Sequence, residues 1–206
     1  MVHRTRRRML AVAASLVAVA AAPFAATDAA AQTAHKPKVA LVMKSLANEF
    51  FLTMETGAKD YQKHNAGKFE LITNGIKNET DTAAQINIVE QMINSKVDAI
   101  VLAPADSKAL VPVVKKAVDA GIIVVNIDNR LDPDVLKSKD LNVPFVGPDN
   151  AKGAEKVGDE LAKKLKAGDE VGIVEGVSTT TNAQQRTAGF KAAMQKVGAK
   201  VVSVQS

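Results

Sequence analysis

The stretch Asn126-Ile127-Asp128-Asn129-Arg130 closes an apolar run and sets a carboxylate two residues from a guanidinium. An aspartate accepts two hydroxyl protons and an arginine donates from a planar fork, so the pair suits a vicinal diol. The alternative is a solvated ion pair in a loop. Arginine is scarce here: beyond residue 31 the sequence holds 21 Lys and two Arg. The second, Arg186, lies in Thr180-Thr181-Asn182-Ala183-Gln184-Gln185-Arg186, and its role stays open between structure and ligand. Upstream, Ser45-Leu46-Ala47-Asn48-Glu49-Phe50-Phe51 places two phenylalanines side by side in a sequence with few aromatics. Successive helical residues point about 100° apart, so at least one ring should face a sheet. The other is then available to pack on the C–H face of a sugar ring, unless both belong to the core.

Catalysis has little to work with. His3, His35 and His64 have no partner spacing for a metal site or a triad. His35 falls in a tail expected to be unstructured, and His64 stands beside Asn65 at a helix end. The phosphate cradles G-x-x-x-x-G-K and G-x-G-x-x-G are missing. With no cysteine, disulfides, zinc ribbons, iron–sulfur clusters and thiol nucleophiles are excluded. The sequence predicts no enzyme, no cofactor and no metal.

These residues need a scaffold, and the apolar pattern supplies one. Short β-branched runs recur near 39–43, 69–73, 99–103 and 122–127, roughly one βα unit apart. Between them, Ala83, Ile86, Val89 and Ile93 make one helical stripe, and Leu110, Val113, Val114, Ala117 and Val118 another. Runs apolar on both faces predict parallel strands covered by helices on both sides. Residues 128–141 are polar, contain Pro133 and read as a loop or crossover. The alternation then restarts, with strands near 143–147, 171–175 and 200–204 and helices over 150–166 and 182–197. The expected division is a first α/β lobe over 38–140 and the first half of a second over 141–206. A lobe of three strands and two helices buries its core poorly alone, so the sequence reads as a fragment.

Composition and charge set the compartment. An apolar fraction of 47% with 24% charged residues excludes disordered and fibrous classes. The net charge of +5 sits mainly in Arg4, Arg6, Arg7 and Arg8. An uncharged run follows, then Pro23 and small residues ending Ala29-Ala30-Ala31, the pattern of an export signal over 1–31. Cleavage there leaves a tail over 32–37 and a net charge of +2, with little reason to bind nucleic acid. Pro23 and the weakly hydrophobic alanines argue against stable membrane insertion.

Taken together, Asn48-Glu49-Phe50-Phe51, Ala103-Pro104-Ala105-Asp106-Ser107, Ile127-Asp128-Asn129-Arg130, Gly147-Pro148-Asp149-Asn150 and Gln184-Gln185-Arg186-Thr187-Ala188-Gly189-Phe190 carry a resemblance. From about Lys38 onward the sequence resembles the periplasmic sugar-binding proteins of the ribose-binding type. The resemblance implies a type I periplasmic binding protein fold, two Rossmann-like lobes joined by hinge strands that close over a ligand. It implies that residues matching Asn48, Phe50, Phe51 and Asp128 contact the sugar from the first lobe, and one matching Gln184 from the second. Glu49 replaces the usual proline of the first motif, and Asn129 and Gln184 stand where ribose binders carry arginines. A polyhydroxylated ligand is therefore implied without ribose being specified. Asn129 and Arg130 complete the candidate contacts. The implied role is the periplasmic, monomeric receptor of an ABC sugar importer, with a monosaccharide or polyol as ligand and the permease as partner. Two alternatives share an α/β sheet: the ligand domain of a LacI-type regulator, and an exported enzyme.

Overall fold

The computed structural model describes residues 35–206; the leader expected over 1–31 lies outside them. Among the described residues the order is β1 (Lys38–Ser45), α1 (Glu49–His64), β2 (Glu70–Ile76), α2 (Thr82–Asn94), β3 (Ala99–Leu102), α3 (Val111–Asp119) and β4 (Ile123–Ile127). Then come α4 (Pro133–Ser138), β5 (Phe145–Val146), α5 (Asn150–Ala162), β6 (Glu170–Val174), α6 (Thr181–Val197) and β7 (Lys200–Gln205).

The first sheet is wholly parallel, in the order β2-β1-β3-β4-β5. β1, flanked by β2 and β3, is buried without a break from Ala40 to Ser45. Its side chains alternate between two cores, as strand geometry requires. Ala40 and Val42 join Val89, Ile100, Leu102, Val113 and Val114 under α2 and α3. Leu41 and Met43 join Phe51 and Ala103 on the α1 side. Helices therefore cover both faces, as the apolar runs require. The strand order reverses between β1 and β3, the switch point where open α/β sheets hold ligands at the carboxyl ends of their strands.

Three expectations need correction. Residues 128–141 are not all loop: Pro133–Ser138 form α4, with Asp132 accepting from the Asp134 and Val135 N–H groups at 3.0 Å. Proline in the first turn and an aspartate cap start this helix, but six residues are too few to show an apolar period. The strand expected to open the second lobe belongs to the first sheet, where Phe145 and Val146 pair with Asn126 and Ile127. Its pairing partner is a long-range choice that a two-residue run does not encode. Finally, the tail is held at His35, whose Nε2 lies 2.8 Å from Asp98 Oδ1, while the Lys38 N–H donates to Asp98 Oδ2 at 2.7 Å.

β6 and β7 form a separate parallel pair. α5 and α6 cross closely beside it. A Cβ on Gly189 would stand 2.1 Å from the Ala151 carbonyl oxygen, and one on Gly158 would stand 2.6 Å from Ala193 Cβ. Glycine at these two sites lets the helix backbones meet.

Candidate functional site

The site grows from three strand ends. At the end of β1, Lys44 is buried and its ammonium lies 2.9 Å from Glu79 Oε2 and 5.9 Å from the centre of the Phe51 ring. Asn48 caps α1, accepting from the Phe50 N–H at 3.0 Å, while its amide donates to Glu79 Oε1 at 2.5 Å. Burial pushes the Glu79 carboxyl up, yet the bonds from Asn48 and Lys44 outweigh it and hold the group below the usual carboxylate range. The cap fixes the phase of α1 and so sorts the two phenylalanines. Phe51 is 4% exposed in the core, whereas Phe50 is 56% exposed and meets it edge-on, centroids 5.1 Å apart.

At the end of β4, Asn126 is buried and shapes the turn that follows. Its amide donates to the Leu102 and Asn129 carbonyls at 3.3 and 2.8 Å, and its oxygen accepts from the Leu131 N–H at 2.8 Å. Within that turn Asp128 has φ +58°, a left-handed conformation that Asp tolerates better than most residues. Asp128 is half-buried, and burial raises its carboxyl above the ordinary value; Lys44 and Arg186 pull it back, while Glu79 adds to the rise.

The expected clamp of Asp128 with Arg130 is not formed. The Arg130 guanidinium sits 4.5 Å over the Phe145 ring, and the arginine whose charge acts on Asp128 is Arg186. The left-handed turn at Asp128 sends the following residues away from the strand-end carboxylate. Asn129 is fully buried: its amide donates to the Pro104 carbonyl at 2.9 Å and its oxygen accepts from the Asn182 N–H at 3.3 Å. Gln184 is exposed and donates to the Ser178 carbonyl at 2.8 Å.

A cleft of about 770 Å³ runs from Lys44 and Glu79 to Asn150, Glu175, Asn182 and Arg186 beside the second sheet. Arg186 Nε donates to Asn150 Oδ1 at 2.9 Å, and the Thr187 hydroxyl donates to Glu175 Oε2 at 2.8 Å. Lys44 and Glu79 escape the sequence reading, and Asn150 enters it as part of a motif and not as a site residue. Lys44 leaves a trace, a lone lysine inside an apolar strand run, and Asn150 follows a Pro-Asp turn at a helix start. Donors and acceptors of both charges thus meet at the carboxyl ends of the strands, beside an exposed aromatic ring. Among the described residues no group of three or more metal-ligating side chains comes together, and no helix is long and apolar enough to cross a membrane.

Residues 39–206 match the model of the periplasmic binding protein domain. The chain belongs to that family. Among curated members of the periplasmic binding protein family, the D-ribose/D-allose-binding protein of Pseudomonas aeruginosa is 68% identical over 200 residues, covering 97% of this chain and 62% of that protein. The D-allose-binding periplasmic protein of Escherichia coli is 33% identical over 162 residues, 76% of this chain and 50% of that one. A solved ABC-transporter solute-binding protein of Burkholderia multivorans, holding an unknown ligand, is 88% identical with a TM-score of 0.82; the match covers 84% of this chain and 61% of that one. Another from Actinobacillus succinogenes, with bound D-allose, is 35% identical with a TM-score of 0.73, covering 83% and 59%. The chain thus spans half to three-fifths of the length of these periplasmic binding proteins.

Proposed function

We propose that this chain forms the greater part of the receptor of an ABC sugar importer, capturing a monosaccharide of the ribose or allose class in the periplasm. The observation that carries the reading is the cleft at the strand ends lined by Lys44, Glu79, Asn150, Glu175 and Arg186, with Asp128 within electrostatic reach of Lys44, Glu79 and Arg186 and Phe50 exposed at the start of α1. Sugar hydroxyls donate and accept, so charges of both signs at one sheet end suit them, and an aromatic face suits the C–H side of the ring. The 68% identity to a D-ribose/D-allose-binding protein supports this ligand class.

In this reading Asp128 accepts from sugar hydroxyls, Lys44 and Arg186 line the cleft, Asn48 holds Glu79 at its edge, Phe50 stacks, and Phe51 backs the ring from the core. Gln184 and Arg130 would reach the sugar only by leaving their present partners. The lobes extend over 38–140 and 141–206, except that β5 within the second range pairs with β4 in the first sheet. Export by the leader over 1–31, a monomeric state and delivery to an ABC permease complete the proposal. The test is thermal unfolding of the purified protein against D-ribose, D-allose and D-glucose. Stabilisation by D-ribose or D-allose is expected, by about 2.7 kcal/mol at a hundredfold excess over Kd. No shift with any of the three would sink the reading.

A further inference from the structure

Helix α6 starts with a deficit. The first N–H groups of any helix lack intrahelical partners, and a capping side chain normally supplies one. Thr180 has the extended backbone of an N-cap (φ −101°, ψ 134°), but its side chain makes no capping bond. Its hydroxyl donates instead to the Val177 carbonyl at 2.7 Å. The missing acceptors come from the other sheet. The Thr181 N–H donates to Ser107 Oγ at 2.8 Å, and the Asn182 N–H to Asn129 Oδ1 at 3.3 Å. The Ser107 hydroxyl is itself 3.5 Å from Asn129 Oδ1, and the Ser107 N–H donates to the Thr179 carbonyl at 3.4 Å. Ser107, Asn129 and Thr180 are 2%, 0% and 2% exposed, so the acceptor side of the junction is buried, while Thr181 and Asn182 are half-buried.

We infer that Ser107 and Asn129 form a latch that caps α6 from the first sheet and holds the two sheets together, setting sugar affinity without touching the sugar. Its consequence for affinity rests on the sugar-receptor reading; the latch itself does not. Opening the cleft strips both acceptors from α6 and uncovers the side chains that supplied them. The latch thus biases the protein toward the closed state, and a ligand that requires closure binds more tightly because of it. It also gives Asn129 a role other than ligand contact: both ends of its amide are engaged between the loop after β3 and the start of α6.

The donor can be deleted cleanly. Thr181 is the first residue of α6, a position that accepts proline, and Thr180 already has the backbone that residues before proline adopt. Thr181→Pro therefore removes one N–H and keeps the helix, while Thr181→Ala keeps the N–H and serves as control. The readouts are the closed population, from energy transfer between dyes on the two sheets, and the affinity for D-allose and D-ribose by calorimetry. Ser107→Ala and Thr181→Pro are each expected to lower the closed population and weaken binding about three- to tenfold. Thr181→Ala should match the wild type, and the Ser107→Ala/Thr181→Pro double variant should lose no more than either single change. Fully additive losses, or a Thr181→Pro protein whose closed population matches that of Thr181→Ala, would overturn the latch. Failure of the wild type to bind either sugar defeats the sugar-receptor reading alone, because the dye measurement still decides the latch.

Discussion

Asp128 carries two burdens at once, a left-handed backbone and a carboxyl withdrawn from water. A raised folded-state pKa means that the stability the group contributes is present at low pH and is lost as pH rises through that pKa. At neutral pH the anion therefore weakens the fold, a cost that ligand binding by the carboxylate would offset. Asn tolerates the same backbone, so Asp128→Asn changes the charge and little else. We expect a higher melting temperature at neutral pH together with sugar binding weaker by roughly 2–4 kcal/mol, about 30- to 1000-fold. On acidification the wild-type affinity should fall from above the usual carboxylate range, and the variant should lose that limb; calorimetric titration across pH checks both. The phenylalanine pair gives a second contrast. Phe51→Ala should cost about 3–5 kcal/mol in denaturant unfolding, while Phe50→Ala should leave stability nearly unchanged and weaken sugar binding. The sequence limits the pair to at least one ring inward. Which one depends on the Asn48 cap, a side-chain bond that the sequence does not display.

At the scale of elements, strand ends are fixed by buried polar side chains rather than by the apolar pattern. Gln85 on α2 is fully buried, donating to the Met43 and Ala103 carbonyls at 3.0 and 2.9 Å and accepting from the Ala105 N–H at 2.7 Å. It ties the ends of β1 and β3 together, as Asn126 ties β3 to the turn carrying Asp128. Neither role is legible in the sequence, because a polar residue beside an apolar stripe reads as solvent-facing. The elements themselves are legible: α2, α3 and the runs of β1 to β4 are found, since many residues repeat one period. Within the expected stripes, however, Ala83 and Val118 are exposed, and Gln85 and Met92 join Val89 on the buried face of α2. α4 and β5 were missed or misplaced because six and two residues carry no period. The α5–α6 crossing yields the element-scale prediction. Gly189→Ala places a methyl against the Ala151 backbone, where no side chain can yield. The helices must separate, at a cost of about 1–3 kcal/mol or more. Chemical denaturation checks this, and an unchanged midpoint would mean that the crossing is looser than its geometry.

For the whole molecule, charge and anchoring bear on the same question, where the mature protein begins. Of the net +5, the four arginines at positions 4, 6, 7 and 8 carry most; without residues 1–31 the remainder is close to neutral at +2. The proposed sugar-receptor role gives such a basic cluster no use, whereas an export signal requires one. The fold takes hold at His35 and Lys38, both bonded to Asp98 at the amino end of the sheet. The sugar cleft begins at Lys44, at the opposite end of β1. An N-terminus at Gln32 therefore leaves every described contact intact. We expect protein recovered from the periplasm to begin within a few residues of Gln32 and to carry none of the four leader arginines. Intact-mass measurement decides it: a mass that includes Met1 in the periplasmic fraction would show that the Ala29-Ala30-Ala31 stretch is not a cleavage site.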